Sequence, residues 1–137
     1  MADNDNRRIV KTGEAPAAVG PYSQAVAVQG ELLYCSGQIP LDPASGELVD
    51  GGPAEQTTRC LENLEAVCRE AGTSLGNAVR VGVFCTDLGT DWADVNSAYE
   101  QFFAAAGSDP PARATVGVAA LPKGARVEIE AVVLCPR

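Results

Sequence analysis

"PPARATVGVAALPKGARVEIEAVV", residues 110–133, decides the fold of this chain. Two runs of alternating small and β-branched residues flank the turn signal LPKGA, which predicts β-strands over residues 112–120 and 126–134. The stretch also carries three charged residues inside what otherwise looks like sheet core: Arg113, Glu128 and Glu130. Charged side chains are rarely placed on such surfaces without a partner, so these residues are candidates for a functional site.

Composition limits the classes of function. With 137 residues the chain is long enough for one two-layer core, and we expect a single domain over residues 1–137 with residues 1–6 as a disordered lead-in. The net charge of −8 argues against broad binding to nucleic acid or anionic membrane, because phosphate groups would be repelled. No run approaches the ~20 apolar residues of a membrane span, and the polar N-terminus lacks the apolar core of a signal peptide. We therefore expect a cytoplasmic protein that binds neither nucleic acid nor membrane.

Histidine and cysteine usage limits the chemistry further. The chain has no histidine, so Ser-His-Asp triads, Cys-His pairs and His-ligated zinc are excluded. Its five cysteines form no CxxC pair and mostly lie in apolar runs, which indicates reduced, buried side chains. Cys60 and Cys68 lie on one predicted helix, about 12 Å apart along its axis at ~1.5 Å per residue, which is beyond the reach of a disulfide. We predict no functional disulfide.

Periodicity places the remaining elements. Apolar residues recur at helical spacing from Pro53 to Ala71. A second helix, with Asp91 as its N-cap and Tyr99 in its apolar stripe, is expected to end at Gly107. Further strands are predicted over residues 8–11, 24–28, 32–36 and 78–86. We expect the second and third strands to pair as a hairpin across Gly30, and the last two strands to pair as another hairpin. The order β-β-β-α-β-α-β-β indicates an α+β fold, a two-layer sandwich of a mixed six-stranded sheet with both helices on one face.

Alternation divides the side chains of the last predicted hairpin between two faces. The helix-covered face would carry Ala114, Val116, Val118 and Ala120 with Val127, Ile129, Ala131 and Val133. The opposite face would carry the three charged residues with Thr115, Gly117, Val132 and Leu134. No third layer remains in the chain to cover this face, so we expect another subunit to cover it. Pairing across the turn would set Glu128 opposite Ala119, roughly 20 Å along the strand from Arg113, so the two charges could act together only from different subunits.

Two loops supply further candidates, and each has two interpretations. GPYSQA, residues 20–25, places Tyr22 after a Gly-Pro turn, where it either closes a small pocket or packs on its own sheet. CSGQIP, residues 35–40, places Ser36 and Gly37 at a strand end, where backbone N–H groups could meet a ligand. Arg113 either presents its planar fork to a carboxylate or is an ordinary solvated arginine. Glu128 and Glu130 either belong to a site or are ordinary surface charges at a strand edge. The residues alone leave these alternatives open.

Four segments together resemble the RidA (YjgF) family of imine deaminases: GPYSQA, LYCSGQIPLDPASGELV, VNSAYEQFF and PARATVGVAALPKGARVEIEAV. They occur in family order and spacing from about Ile9 onward. The resemblance implies a chorismate-mutase-like fold and a homotrimer with active sites between subunits. It also implies hydrolysis of 2-imino acids, such as 2-iminobutyrate and 2-iminopropionate, to 2-oxo acids and ammonia, with no metal and no cofactor.

The resemblance also implies roles for individual residues. Arg113 would anchor the substrate carboxylate, and Glu128 would lie near the imine nitrogen and the attacking water. The substrate-binding positions would be Tyr22, Ser36, Gly37, Asn96, Ala114 and Thr115. Because Thr115 stands where some members carry cysteine, no thiol nucleophile is implied. One alternative is a non-catalytic trimeric module that binds small carboxylates. The other is a ribonuclease or translation inhibitor, and the negative net charge and the lack of histidine argue against this second alternative.

Overall fold

The protein is described by a computed structural model that covers residues 6–136. Six strands and two α-helices follow one another in these residues: β1 (Arg7–Val10), β2 (Ala25–Val28), β3 (Glu31–Gln38), α1 (Pro53–Glu70), β4 (Ala78–Cys85), α2 (Leu88–Ala106), β5 (Ala112–Gly117) and β6 (Val127–Cys135). Short 3-10 turns at Leu75–Asn77 and Pro122–Gly124 precede β4 and β6. The prediction of two helices with a mixed sheet is confirmed. Of the predicted lead-in, residues 1–5 lie outside the described residues, whereas the Asn6 carbonyl accepts a hydrogen bond from the Gln29 N–H at 3.0 Å.

The strands form two sheets. One is a four-stranded mixed sheet in the order β3-β6-β4-β5, and the other is a two-stranded ribbon of β1 and β2. β4 and β5 are parallel, and β6 is antiparallel to both β3 and β4. The six predicted strands are therefore divided, and both predicted hairpins are wrong, because β2 pairs with β1 and because β4 lies between β5 and β6. A turn signal such as LPKGA reverses the chain but does not make the flanking strands neighbours.

Helix α1 begins and ends where the sequence predicts. Pro53 occupies its first turn, and the Gly52 N–H donates to the Glu55 carboxylate at 2.7 Å, which satisfies one of the N–H groups at the helix start. Gly72, just past the end, has a φ of +84°, a conformation that glycine adopts without steric cost. The buried face of α1 packs in one apolar core with residues of β4, α2 and β6. Neither helix of the described chain is long and apolar enough to cross a bilayer.

Helix α2 begins one turn earlier than predicted. Its N-cap is Asp87 and its first residue is Leu88, whereas Asp91 lies within the first turn and is 1 % exposed. Asp91 binds the guanidinium of Arg126 instead of capping the helix. The helix ends at Gly107, at a φ of +73°, as predicted. The error at the start arises because aspartate favours both caps and ion pairs, and the sequence does not tell one from the other.

The faces of β6 agree with the prediction and those of β5 do not. Parallel pairing sets Arg113 beside Val81 and Thr115 beside Val83, and both valines are fully buried against the helices. Arg113 and Thr115 therefore lie on the helix side with Gly117, while Ala114 and Val116 lie on the open face. β5 is an edge strand, and Val116 on its open face remains 43 % exposed. The polarity of the side chains of β5 therefore does not identify which face of the strand is buried.

Three further details of the predicted open face are corrected. Leu134 is fully buried. Glu128 pairs with Phe84 of β4, and Ala119 lies beyond the end of β5. The register computed across the LPKGA turn is therefore wrong, because β4 is inserted between the two strands.

All five cysteines are free in the structure, and Cys60, Cys68, Cys85 and Cys135 are buried. Burial is the main cause that raises the pKa of Cys60 and of Cys68 to about 12. Because the thiolate is the reactive form, we expect iodoacetamide at mildly alkaline pH to leave these two thiols unmodified in the native protein. Mass spectrometry should find all five modified after denaturation, which serves as the control. Rapid native modification of Cys60 would contradict its place in the core.

Candidate active site

Arg113 lies at the helix-side margin of β5 among aromatic rings. Its Cζ atom is 4.8 Å from the ring centroid of Tyr99, 5.5 Å from that of Tyr22 and 5.6 Å from that of Trp92. Its Nη1 donates a hydrogen bond to Asn96 Oδ1 at 2.9 Å. We name these five residues the Arg113 cluster. Three rings and one amide restrict both the position and the rotation of the guanidinium plane.

Helix α2 supplies three members of the Arg113 cluster. Trp92, Asn96 and Tyr99 are spaced by four and three residues, and side chains at this spacing lie on one face of a helix. Tyr99 is fully buried beneath the guanidinium, whereas Trp92 is 43 % exposed. The cluster thus has a buried floor and a wall open to solvent.

The loop before β2 supplies Tyr22 and is tied to the start of β5. The Ser23 N–H donates to the Pro111 carbonyl at 3.1 Å, and the Ser23 hydroxyl donates to the Pro110 carbonyl. The Tyr22 hydroxyl accepts a hydrogen bond from the Val19 N–H at 3.3 Å. These bonds hold the GPYS loop beside Arg113, although the two segments lie far apart in the sequence.

Arg113 has no acidic partner within the described chain. No carboxylate of residues 6–136 approaches its guanidinium within 4.0 Å. Burial lowers the pKa of Arg113, and the neighbouring phenols of Tyr99 and Tyr22 oppose this effect. Because its hydrogen bond within residues 6–136 uses Nη1, the Nε and Nη2 donors remain for another group. A partly desolvated cation with two unoccupied donors is suited to bind a carboxylate.

A second group of predicted residues lies where β3 meets β6. The regular pairing of these strands is interrupted between Cys35 and Gln38, so Ser36 and Gly37 form a bulge. The side chain of Glu128 lies directly over Gly37, and a Cβ atom at position 37 would overlap its carboxyl group. Ser36 is exposed, and Gly37 and Glu128 are partly buried. We name Ser36, Gly37 and Glu128 the Glu128 cluster.

The sheet separates the two clusters. Glu128 is paired with Phe84, which is paired with Val116, so Glu128 lies on the open face of the sheet. Arg113 lies on the helix side. The structure therefore brings the predicted residues together in two groups and not in one. Neither cluster, nor any other part of residues 6–136, groups three histidine, cysteine, aspartate or glutamate side chains as a metal site would.

The remaining predicted residues divide between the two faces. Ala114 is exposed on the open face, away from the Arg113 side chain. Thr115 lies on the Arg113 side, where its Oγ1 is buried without a hydrogen-bond partner among the described residues. The sequence analysis missed Trp92 as a site residue and treated Tyr99 only as core. The spacing of both to Asn96 is the signal that could have identified them.

Comparisons with known proteins add an independent finding. A family model described as Endoribonuclease L-PSP matches residues 12–135, nearly the whole chain. The chain belongs to the RidA/YjgF family. Among curated relatives, the RutC family protein y4sK of Sinorhizobium fredii is 54% identical over 125 residues, which cover 90% of this chain and 94% of the relative. The human 2-iminobutanoate/2-iminopropanoate deaminase is 48% identical over 128 residues, which cover 93% of this chain and 90% of the relative.

Solved structures of the RidA/YjgF family share this fold. The crystal structure of E. coli TdcF with bound serine matches at a TM-score of 0.73 and 40% sequence identity. The match covers 93% of this chain and 98% of that chain. The resemblance that the sequence motifs indicated is thereby confirmed.

Proposed function

We propose that this protein hydrolyses reactive 2-imino acids, such as 2-iminobutyrate and 2-iminopropionate, to 2-oxo acids and ammonia. The observation that carries the proposal is Arg113, a partly buried guanidinium without a carboxylate partner in the described chain. A substrate carboxylate complements its unoccupied donors, because two parallel N–H···O bonds match the planar fork. The name of the human relative and the serine bound to TdcF, an amino acid with a carboxylate, both support a ligand of this class.

The proposed reaction needs few groups. Arg113 holds the carboxylate and thereby fixes the position of the adjacent C=N bond. Water adds to the imine carbon as its proton passes to Glu128, so that a C–O bond forms and the π electron pair moves to nitrogen. Glu128 returns the proton to nitrogen, which gives a neutral carbinolamine. As C=O forms, the hydroxyl proton passes through Glu128 to the same nitrogen, and ammonia leaves with the C–N electron pair. One water is consumed, one ammonia is released, and Glu128 ends ionised as it began.

We also propose that the two clusters meet between subunits of a homotrimer. Arg113 and Glu128 lie on opposite faces of one sheet, so a single chain cannot apply both to one substrate. The open face carries large exposed side chains that a second copy would cover: Leu32 at 36%, Val116 at 43% and Tyr34 at 75%. The number of three subunits rests on the family resemblance.

A direct assay separates this proposal from its alternatives. Imines are generated in the reaction vessel from several amino acids by an amino-acid oxidase, and release of 2-oxo acid is compared with a control without this protein. Acceleration supports the deaminase. Binding of 2-oxo acids without acceleration would indicate a carboxylate-binding module, and RNA cleavage without acceleration would indicate the ribonuclease.

Gly37 provides a test of the part assigned to Glu128. We expect Gly37→Ala to lower kcat for imine hydrolysis by about tenfold or more, because the new Cβ displaces a carboxylate that must be placed to within about 1 Å. KM should change little, since the Arg113 cluster is untouched. Gly82→Ala is the control, because its Cβ would also face a glutamate carboxylate on the open face, that of Glu130, but at 3.0 Å, which is less close than a Cβ at position 37 would come to Glu128. A Gly37→Ala variant with the wild-type kcat and oligomeric state would contradict the claim that hydrolysis depends on the exact position of the Glu128 carboxylate.

A further inference from the structure

An ion pair with a buried carboxylate joins the helix of the Arg113 cluster to the residue that directly precedes β6, the strand of Glu128. The carboxylate of Asp91, in the first turn of α2, accepts hydrogen bonds from Nε of Arg126, at 3.0 Å, and from its Nη2. The Asp91 side chain is 1% exposed, whereas that of Arg126 is 41% exposed. The proposed reaction uses neither residue.

The helix dipole favours an acidic residue in the first turn of α2, but that effect does not require the side chain to be buried. The N-cap of α2 is Asp87, whose carbonyl accepts a hydrogen bond from the Asp91 N–H at 2.9 Å, and the Asp91 carboxylate binds Arg126 and not the helix backbone. A buried carboxylate is unfavourable unless it is paired, and even a paired one stabilises a fold little compared with an apolar side chain. What a two-point contact supplies is a fixed distance and orientation between the elements that it joins.

The backbone of Arg126 is itself held by two other elements. Its N–H donates to Oε1 of Gln56 in α1 at 2.9 Å, and its carbonyl accepts from the N–H of Thr86, at the end of β4, at 3.1 Å. Asp91 is therefore fixed to a residue that α1, β4 and the start of β6 already hold. The carboxylate thus sets the position of the first turn of α2 relative to the rest of the fold.

Both clusters lie a few residues from this ion pair. Trp92 directly follows Asp91, and Asn96, whose Oδ1 accepts from Arg113 Nη1, lies about one and a half turns further along α2. Glu128 follows Arg126 by two residues. A shift or rotation of α2 would move the amide that orients the guanidinium, while Arg113 itself stays on β5.

We propose that the Asp91–Arg126 pair is a positioning device for carboxylate binding: it fixes α2 so that Asn96 orients the guanidinium of Arg113. The ligand class rests on the proposed function, but the inference concerns binding and does not require turnover. Asp91 and Arg126 are positioning residues, since neither touches the ligand.

The test measures carboxylate affinity in variants of the pair. Asp91→Asn keeps the size of the side chain and removes its charge, and Arg126→Lys keeps the charge and removes the fork. Binding of 2-oxobutyrate is followed by calorimetry and by the fluorescence of Trp92, the one tryptophan of the chain. We expect each variant to bind about tenfold more weakly, with KM for imine hydrolysis raised by a similar factor and kcat little changed.

A double variant separates positioning from general destabilisation. If Asp91 acts through Asn96, then Asp91→Asn combined with Asn96→Ala should bind 2-oxobutyrate no more weakly than Asn96→Ala alone. Arg69→Gln, which removes the exposed ion pair between Arg69 and Glu65, is the matched control and should leave affinity and KM unchanged. Thermal unfolding of each variant establishes that the measured protein is folded, and Arg126→Lys carries the test if Asp91→Asn does not fold.

The outcomes distinguish this inference from the proposed function. Wild-type affinity in the folded variants, or full additivity with Asn96→Ala, would overturn the positioning role even if the protein hydrolyses imines. Weaker binding by the variants that is not additive with Asn96→Ala supports the positioning role. This holds even if the wild-type protein binds 2-oxobutyrate without hydrolysing imines, and that lack of hydrolysis would overturn only the proposed function. A wild-type protein that does not bind 2-oxobutyrate would overturn the positioning role in carboxylate binding, and the imine assay would decide the proposed function separately.

Discussion

Arg113→Lys is expected to lose nearly as much imine hydrolysis as Arg113→Ala, on the order of a hundredfold in kcat/KM for each. A single ammonium does not reproduce the planar, two-point contact of a guanidinium. The ammonium group also fits poorly among the three aromatic rings and the Asn96 amide, which are arranged around a planar guanidinium. The rates are measured with purified variants and imines generated in place.

A matched arginine serves as the control for this loss. Arg59 of α1 also donates a hydrogen bond to an asparagine, from Nε to Asn63 Oδ1 at 3.1 Å, but it lies outside both clusters. Arg59→Lys should therefore retain wild-type kcat/KM. Oligomeric state and unfolding midpoint are compared for all variants. A folded Arg113→Ala protein with full activity would eliminate the anchor role.

Mixing two inactive variants is expected to restore activity. If each site takes Arg113 from one chain and Glu128 from another, random assembly of Arg113→Ala with Glu128→Gln chains leaves both residues intact in about a quarter of the sites. Equal amounts of the two proteins are unfolded together, refolded and assayed. Activity should rise from the low level of either parent to about a quarter of the wild-type value.

Two controls make this result specific. Each parent is carried through unfolding and refolding alone, and Arg113→Ala is mixed with Arg113→Lys, which cannot generate an intact site. Exchange of chains is verified by mass spectrometry with one parent isotopically labelled. If exchange is complete and activity stays at the parental level, the inter-subunit arrangement of Arg113 and Glu128 is wrong.

The sequence predicts the parts of this fold that local patterns determine. The limits of α1 and the end of α2 follow from helical periodicity and from glycines at positions 72 and 107. The alternation of β6 correctly identifies its buried face. Each of these features depends on residues within a few positions of one another, so a short window contains the information.

Strand pairing is not determined in this local way. LPKGA suggests a hairpin, but α2 returns the chain so that β5 lies parallel to β4 along one edge, and β6 pairs with the other edge of β4. The face of β5 follows from this pairing, because Arg113 takes the side of its neighbour Val81. Residue polarity suggested the opposite side. An edge strand tolerates an exposed valine on its open face, and the arginine on its helix side packs against polar and aromatic residues of α2.

The candidate site was predicted as a set of residues but not as an arrangement. Arg113 and Glu128 are conspicuous in the sequence as charges within sheet-like runs, and the family resemblance adds the others. Their separation onto two faces depends on which strands are neighbours. The contact of Trp92 and Tyr99 with Arg113 depends on how α2 lies over β5, which a residue pattern within either element does not encode.

The place of β6 in the sheet has a consequence for synthesis on the ribosome. β6 is the last strand of the described chain, yet it lies inside the sheet between β3 and β4, where Cys135 pairs with Glu31. Translation proceeds from the N-terminus, so β3, α1 and β4 emerge before their shared partner has been made. Until residues 127–135 are released, one edge each of β3 and β4 has no partner strand, and the core beneath α1 lacks the side chains of β6. A nascent chain stalled in this interval presents surfaces that invite association with other chains. Closure of this sheet therefore waits until residues 127–135 have left the ribosome.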